Sequence, residues 1–288
     1  MISALRPHQW IKNLFVFGPL LFTGRWAAGA DLWAVAQVFG AWCAAASAVY
    51  LFNDLRDREA DRLHPIKRHR AIAAGRLSPP LAAGLALLLA GLGLGWLGWT
   101  DPGGAALLGA YLGLNLGYSL GLKRVVVLDL LIVAAGFVLR VLAGAWALRV
   151  PASPWLLVCT GLLATFLAAT KRRQELAQRA EGAETRAVLQ AYTLPALDQA
   201  QTLLAGATLL AYCAYCASPT TVGRLGDGRM LLTAPPVLYG LLRFLWLGHS
   251  RGLGEDPSKV ALGDPGLIAA LLIWAGTAAL LISVGPGP

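Results

Sequence analysis

Carboxylate and basic side chains are concentrated in the segment from Asn53 to Arg76, which follows a long apolar stretch. The segment contains four carboxylates and seven Lys or Arg residues. Asp54, Asp57 and Asp61 are spaced at i, i+3 and i+7, so they share one face if the preceding apolar helix continues through them. Three carboxylates on one face repel each other unless a cation lies among them. Hard oxygen ligands of this kind suit Mg2+, which also binds phosphate oxygens, so the spacing predicts a Mg2+ site.

The basic residues that follow these carboxylates are suited to binding phosphate. They are Arg62, Lys67, Arg68, Arg70 and Arg76. Together with a metal ion they would neutralise a diphosphate, so the segment predicts a diphosphate and Mg2+ site at a membrane surface. The alternative is a solvated helix end in which Asp and Arg form salt bridges along the helix. We favour the metal and phosphate interpretation because the charges directly continue the apolar stretch 32–52, where carboxylates carry a desolvation cost.

The composition is that of an integral membrane protein. The 288 residues are 57% hydrophobic and 14% charged, with a mean hydropathy of +0.61, whereas about a quarter of the residues in soluble domains are charged. Long apolar windows favour spanning helices over a barrel, and they cover residues 10–24, 31–52, 79–99, 103–122, 125–147, 154–170, 196–217, 229–248 and 266–284. The sequence therefore predicts an all-α, polytopic transmembrane bundle of about nine helices in a single integral membrane domain, residues 1–288.

Lys and Arg residues are distributed unevenly over the predicted loops. With nine spans, the N-terminus and the loops 53–78, 123–124, 171–195 and 249–265 lie on one side and carry 18 of these residues, against four on the other side. Because short cytoplasmic loops are rich in Lys and Arg, the charged side is predicted to be cytoplasmic, in the inner (plasma) membrane. The recurrence of charged loops also predicts polar clusters that converge over one cytoplasm-facing cavity. The net charge of +9 follows from topology and phosphate binding, without nucleic acid.

A second polar cluster runs from Tyr118 to Asp129. Its Lys123 either sets the topology or binds phosphate. Asp129 and Arg140 are 11 residues apart, close to three helical turns, so they project along the same stripe of one predicted span. Neither would face lipid, and about 16 Å of helix axis is too far for direct pairing. We therefore predict separate roles in a polar cavity, with Asp129 near its mouth and Arg140 deeper, and count both among the candidate substrate-binding residues.

A third cluster, residues 171–186, follows the sixth predicted span and precedes Tyr192. Lys171 and Arg172 either anchor the helix at the cytoplasmic surface or bring cations to a second phosphate, opposite the Asp-rich helix. The spacing alone leaves these two interpretations equal. At the N-terminus, Lys12 is suited to being a snorkelling cation, and we include it among the candidate substrate-binding residues.

These segments resemble the UbiA superfamily of intramembrane prenyltransferases. The motif NDxxDxxxD is complete from Asn53 to Asp61. Within the superfamily, the branch of phosphoribosyltransferases that act on decaprenyl phosphate is similar in RPHQWIKNLFVFGPLLF, NDLRDREADRLHPIKRHRAIAAGRLS, YSLGLKRVVVLD and KRRQEL, which together span most of the chain. The resemblance implies a helical bundle around a cavity open to the cytoplasm and to lipid. It also implies Mg2+-dependent transfer of 5-phosphoribose from phosphoribosyl diphosphate to a polyprenyl phosphate, with release of diphosphate.

The resemblance further implies roles for individual residues. Asn53, Asp57 and Asp61, with Asp54 alongside, would be the catalytic residues that hold Mg2+ and diphosphate. The residues that would hold phosphates are Lys67, Arg70, Lys123, Lys171 and Arg172, with Tyr118 and Tyr192 as weaker candidates.

The chain departs from the pattern of the superfamily in two places. Ala71 stands where a proline is expected, which affects the rigidity of the loop more than its charge. The basic segment Lys171 to Glu175 stands where aromatic prenyltransferases carry a second Asp-rich motif. A basic cluster would bind phosphate directly, so this departure favours a phosphoribosyl donor and a lipid phosphate over an aromatic acceptor.

Two alternatives stay open at this point. One is a UbiA-type prenyltransferase that moves a polyprenyl group from its diphosphate to an aromatic or other acceptor. The other is a transporter or lipid-binding protein. A transporter should carry broken helices near the midplane of the membrane, whereas the charged residues of this chain are concentrated at one surface. The partners predicted for the favoured function are phosphoribosyl diphosphate, a polyprenyl phosphate lipid and the membrane, and a homo-oligomer is compatible with the sequence.

Overall fold

The computed structural model describes residues 2–63, 67–178, 187–225, 228–254 and 256–284, and these residues are almost entirely helical and form no strand. Its α-helices, in chain order, are α1 (Ile2–Leu5), α2 (Gly18–Thr23), α3 (Gly29–Arg56), α4 (Arg58–Leu63), α5 (Pro79–Thr100), α6 (Pro102–Leu120), α7 (Leu128–Ala147), α8 (Pro154–Ala177), α9 (Leu194–Cys216), α10 (Pro219–Leu225), α11 (Ala234–Arg251), α12 (Pro257–Gly263) and α13 (Pro265–Val284). One 3-10 helix of 11 residues occupies Pro7–Phe17. Shorter 3-10 helices occupy Arg25–Ala27, Lys67–His69, Leu122–Arg124, Ala187–Gln190 and Arg229–Thr233. Many of the α-helices begin with proline, because at the first position its missing N–H leaves no backbone hydrogen bond unmade.

Six of the described helices are long and apolar enough to cross a membrane: α3, α5, α7, α8, α13 and α11 with its preceding 3-10 turn. The prediction of an all-α, multi-pass membrane fold is therefore confirmed. The remaining three predicted spans correspond to α6, α9 and the N-terminal segment, and their crossing of the membrane stays a prediction. The N-terminal segment is a 3-10 helix followed by the short α2, because Pro19, the second residue of α2, has no N–H to continue the 3-10 hydrogen bonds.

Two apolar clusters hold the long helices together. The first joins α3, α5, α6 and α7, and Trp42, Leu97 and Leu108 at its centre are almost completely buried. The second joins α8, α9, α11 and α13 around Phe166. Because α7 also packs along α8, the two clusters form one bundle.

The N-terminal segment lies against the interior of this bundle rather than on its surface. Asn13 and Val16 have no exposed surface. A side chain at Gly144 of α7 would overlap the backbone carbonyl of Val16, so only glycine permits this close approach. The segment thereby brings Arg6 close to the end of α3 and Asn13 close to Arg140 in the interior of α7.

The Asp-rich segment continues α3 with only a local break. The helix α3 ends at Arg56, Asp57 is its C-terminal cap, and α4 begins at Arg58. The N–H of Asp57 bonds to the carbonyl of Asn53 at 2.9 Å, and the N–H of Asp61 bonds to the carbonyl of Asp57 at 2.8 Å. The helical period therefore persists across the junction and sets the directions of the carboxylates.

Candidate functional site

Two buried carboxylates converge on one arginine at the end of α3. Asp54 and Asp61 are each 4% exposed. The Nη1 atom of Arg70 lies 3.1 Å from Oδ1 of Asp54 and 2.7 Å from Oδ2 of Asp61. Seven residues are about two helical turns, so the spacing that predicted a shared face does bring these two side chains together. The shared guanidinium offsets the repulsion between them.

The third carboxylate of the motif faces a different cation. Nζ of Lys123, in the loop between α6 and α7, lies 2.7 Å from Oδ1 of Asp57, whose side chain is 34% exposed. The side-chain oxygen of Asn53 accepts a hydrogen bond from the hydroxyl of Ser119 in α6. Throughout the described ranges, no three Asp, Glu, His or Cys side chains form a group that could hold a metal ion. The motif is thus divided between two neighbouring cation contacts.

A cation from the N-terminus joins the cluster, and the sequence did not predict it. Nη2 of Arg6 lies 2.6 Å from Oδ1 of Asp54, and its guanidinium lies over the ring of Tyr50 at 4.9 Å. Arg6 has φ 51° and ψ 58°, a left-handed conformation that is uncommon for a residue other than glycine. The contact spans 48 residues of sequence, and no local pattern signals a pairing at that separation.

A second cluster centres on Arg172 in α8. Its Nε lies 2.6 Å from Oδ2 of Asp129, its Nη1 2.7 Å from Oε2 of Glu175 and its Nη2 2.8 Å from the hydroxyl of Tyr118. The hydroxyl of Tyr192 donates to the other oxygen of Asp129 at 2.8 Å. Arg172 is 3% exposed and Asp129 has no exposed surface. Four of the residues predicted for substrate binding therefore meet in one buried network that joins α6, α7 and α8.

Arg140 lies in α7, deeper in the bundle than Asp129. Its Nε donates to the side-chain oxygen of Asn13 at 2.7 Å, its Nη1 to the carbonyl of Gly136 at 2.7 Å and its Nη2 to the hydroxyl of Tyr111 at 3.2 Å. The guanidinium also lies within 5.3 Å of the centres of three aromatic rings. Its neighbours therefore differ from those of Asp129, and the separate roles of the two residues stay a prediction.

The other predicted substrate-binding residues lie around these clusters. Arg62 has an exposed side chain, with Nη1 3.1 Å from Glu59 and Nε donating to the carbonyl of Ala73 at 3.3 Å. Lys67, Lys171 and Lys12 are partly buried. Residues 179–186 of the third sequence cluster lie outside the described residues.

The side chains at the end of α3 supply the kind of oxygen ligands that Mg2+ prefers. Asp54 and Asp61 already direct oxygens at one cationic group, and Asn53 and Asp57 supply further oxygens within the same two turns. Mg2+ usually takes only one or two protein carboxylates and completes its shell with water and phosphate oxygens, so a closed set of three is not required. The adjacent cations, Arg70 among them, suit the phosphate that would accompany the ion.

The fold and these clusters define a multi-pass helical membrane protein whose acidic and basic side chains meet at one end of the bundle. The chain belongs to the UbiA prenyltransferase family, whose sequence profile matches residues 15–263. It is 36% identical to the decaprenyl-phosphate phosphoribosyltransferase of Corynebacterium glutamicum, over 99% of this chain and 87% of that protein. It is 38% identical to the protein of the same name from Mycolicibacterium smegmatis, over 96% of this chain and 90% of that protein. The chain is therefore a membrane-bound transferase.

Solved structures share the same fold. A UbiA homolog from Archaeoglobus fulgidus bound to GPP and Mg2+ has a TM-score of 0.72 and 17% sequence identity, covering 97% of this chain and 98% of that one. The structure of the Archaeoglobus fulgidus homolog bound to DMAPP and Mg2+ gives the same values. At this identity the likeness establishes the helical architecture, and the assignment of substrates needs the site itself.

Proposed function

We propose that this chain transfers 5-phosphoribose from phosphoribosyl diphosphate to a polyprenyl phosphate, in a Mg2+-dependent reaction that releases diphosphate. The choice of substrates is supported by relatives that are similar over nearly the whole chain and are named as decaprenyl-phosphate phosphoribosyltransferases. The observation that supports the chemistry is the meeting of the three motif carboxylates with Arg70 and Lys123 at one end of the bundle.

Asn53, Asp57 and Asp61, with Asp54 beside them, are the residues that we propose hold Mg2+. When bound, the ion would neutralise negative charge that develops on the departing diphosphate. Cations that the protein holds in fixed positions near the leaving group would add to this electrostatic stabilisation. The partial exposure of Asp57 leaves one of these side chains open to a ligand from the aqueous side.

The basic side chains would bind the phosphates of donor and acceptor. Lys123 and Arg70 lie in contact with the motif carboxylates, so they are suited to the diphosphate of the donor. Lys171 and Arg172 lie next to each other on α8, apart from the motif carboxylates, and we propose that they bind the second phosphate. An ionised lipid phosphate is already a nucleophile, so the attack at the ribose carbon requires no general base from the protein.

We propose that the site faces the cytoplasm from the plasma membrane, the inner membrane of a cell that has two. Members of the two clusters lie at the end of α3, the end of α6, the start of α7 and the end of α8, namely Asp54, Tyr118, Asp129 and Arg172. The loops next to these ends carry most of the Lys and Arg residues, as cytoplasmic loops do. Residues 1–288 would then form a single integral membrane domain with a cytoplasmic N-terminus.

The decisive experiment is transfer of label by the purified protein in nanodiscs. Phosphoribosyl diphosphate labelled in the ribose is incubated with polyprenyl phosphate, and label in the extracted lipid is measured with Mg2+, with EDTA and with Asp57→Asn. We expect EDTA to abolish transfer. The Asp57→Asn substitution should lower kcat/KM at least about a hundredfold, as loss of a charge-stabilising group commonly does.

Asp31→Asn is the matched control. It makes the same chemical change near the other end of the same helix, where Asp31 pairs with Arg25 at 2.6 Å. We expect this variant to keep full activity. Lipid labelling that survives both EDTA and Asp57→Asn would refute the proposed site. Alkylation of an aromatic acceptor by labelled polyprenyl diphosphate, without phosphoribose transfer, would instead support the prenyltransferase alternative.

A further inference from the structure

The loop that carries Lys123 ends in a strained residue. Val127, the residue before α7, has φ 67° and ψ −43°. A β-branched residue at positive φ is a rare outlier, and it persists only where the surrounding structure holds it. The side chain of Val127 is 52% exposed, so its own packing does not provide that hold.

The backbone of Val127 is held by the hydroxyl of Tyr192. The N–H of Val127 donates to this hydroxyl at 2.8 Å, and the hydroxyl in turn donates to Oδ1 of Asp129 at 2.8 Å. A phenol has one donor and lone pairs that accept, so a single hydroxyl makes both bonds. The carbonyl of Val127 accepts from the N–H groups of Leu130 and Leu131 at 3.0 Å, which fixes the other side of the strained peptide at the first turn of α7.

Packing and a hydrogen bond hold Tyr192 in position. Its ring packs against the buried cluster of Leu130, Ala168 and Ala169. Its hydrogen-bond acceptor Asp129 is held by Arg172, which also contacts Tyr118 near the end of α6. Burial raises the pKa of Tyr192 to about 12, so the phenol remains protonated in the neutral range. Both ends of the loop that carries Lys123 are therefore tied to one network.

We propose that Tyr192 is a positioning residue: its hydroxyl fixes the strained backbone of Val127 and thereby holds Lys123 against Asp57. This role replaces the direct phosphate contact that the family resemblance implied for Tyr192. Its consequence for catalysis rests on the proposed function, in which Lys123 binds a donor phosphate. Its structural part, the restraint of the loop 121–127, does not depend on the identity of the substrate.

The structural part is tested by hydrogen exchange in nanodiscs, without substrate. Tyr192→Phe keeps the ring and its packing and removes only the hydroxyl. We expect exchange in a peptide covering residues 121–130 to rise by at least about tenfold, because the N–H of Val127 loses its acceptor and the loop relaxes. Exchange in a peptide from the middle of α5 should be unchanged. Unchanged exchange in residues 121–130 would overturn the proposal.

The functional part is tested by kinetics and by rescue. Tyr192→Phe should raise KM for phosphoribosyl diphosphate by about tenfold and change kcat by less than about threefold, because the displaced cation contributes to donor binding. Adding Val127→Gly to Tyr192→Phe should restore most of the affinity, since glycine adopts positive φ without strain. Adding Val127→Ala is the matched control and should not rescue, because alanine resists that conformation as valine does.

The outcomes separate this inference from the proposed function. Equal kinetics for the glycine and alanine double variants would overturn the positioning role. A wild-type protein that transfers no phosphoribose would refute the proposed function. In that case the exchange comparison alone would decide for or against the restraint of the loop by Tyr192.

Discussion

The buried network around Arg172 predicts an unequal response at two adjacent arginines. Arg172 pairs with Asp129, and the side chains are 4% and 0% exposed. Arg173 pairs with Asp198 at 2.8 Å, with side chains 16% and 39% exposed. The two pairs have the same chemistry and similar distances, and they differ in burial and in the second carboxylate, Glu175, that Arg172 also contacts. Arg172→Gln and Arg173→Gln therefore form a matched comparison.

The expected magnitudes follow from what each substitution leaves behind. Arg172→Gln leaves the carboxylates of Asp129 and Glu175 without the cation that contacts both. Removing one partner of a buried pair costs about 3–5 kcal/mol of unfolding free energy, and the bond from Tyr192 to Asp129 places this case near 3 kcal/mol. Arg173→Gln breaks a partly exposed pair and should cost less than about 1 kcal/mol.

The unfolding free energy can be measured by titrating the protein in mixed micelles with a denaturing detergent. The ten Trp residues provide the fluorescence signal. Adding Asp129→Asn to Arg172→Gln should recover at least about half of the loss, because the uncompensated buried charge is then removed. Equal destabilisation by Arg172→Gln and Arg173→Gln, or no recovery in the double variant, would refute the reasoning that burial decides the strength of these pairs.

Lys123→Met should weaken binding of phosphoribosyl diphosphate at least about tenfold in a direct binding assay, because hydrogen bonds to charged groups contribute about 1.5–3 kcal/mol. The same change at its exposed neighbour Arg124 should have little effect, and equal losses would contradict a specific role for Lys123. Gly144→Ala should lower the unfolding free energy by about 1–3 kcal/mol, because the added methyl overlaps the carbonyl of Val16. Gly113→Ala is the control: the added atom meets open space, so this variant should raise the unfolding free energy by up to about 1 kcal/mol. A Gly144→Ala protein as stable as the wild type would mean that the N-terminal segment packs less tightly on α7.

Part of the candidate site could be predicted because its spacing is local. Asp54 and Asp61 lie about two helical turns apart, so the helical period brings their side chains together. Clustered carboxylates need a cation among them, and Arg70 is a cation that contacts both. The separation of Asp129 from Arg140 along α7 follows from the same rise per residue. Patterns of this kind depend on one helix and are therefore visible in sequence.

Other features of the site involve partners that no local pattern connects. Lys123 and Asp57 are 66 residues apart, and Arg6 and Asp54 are 48 apart. Ser119 reaches Asn53 only because α6 packs beside α3. The first apolar window was predicted as one span, yet a proline divides it into a 3-10 helix and a short α-helix.

The sequence by itself determined that the chain is a helical membrane protein and that carboxylates and cations gather at the ends of its helices. Those conclusions depend on hydropathy and on a fixed helical period, which neighbouring residues set. Only the tertiary structure decided which cation meets which carboxylate, and that Arg172 and Tyr192 lie in a buried network. Contacts between helices depend on how whole faces pack, and that packing is settled by side chains far apart in the chain.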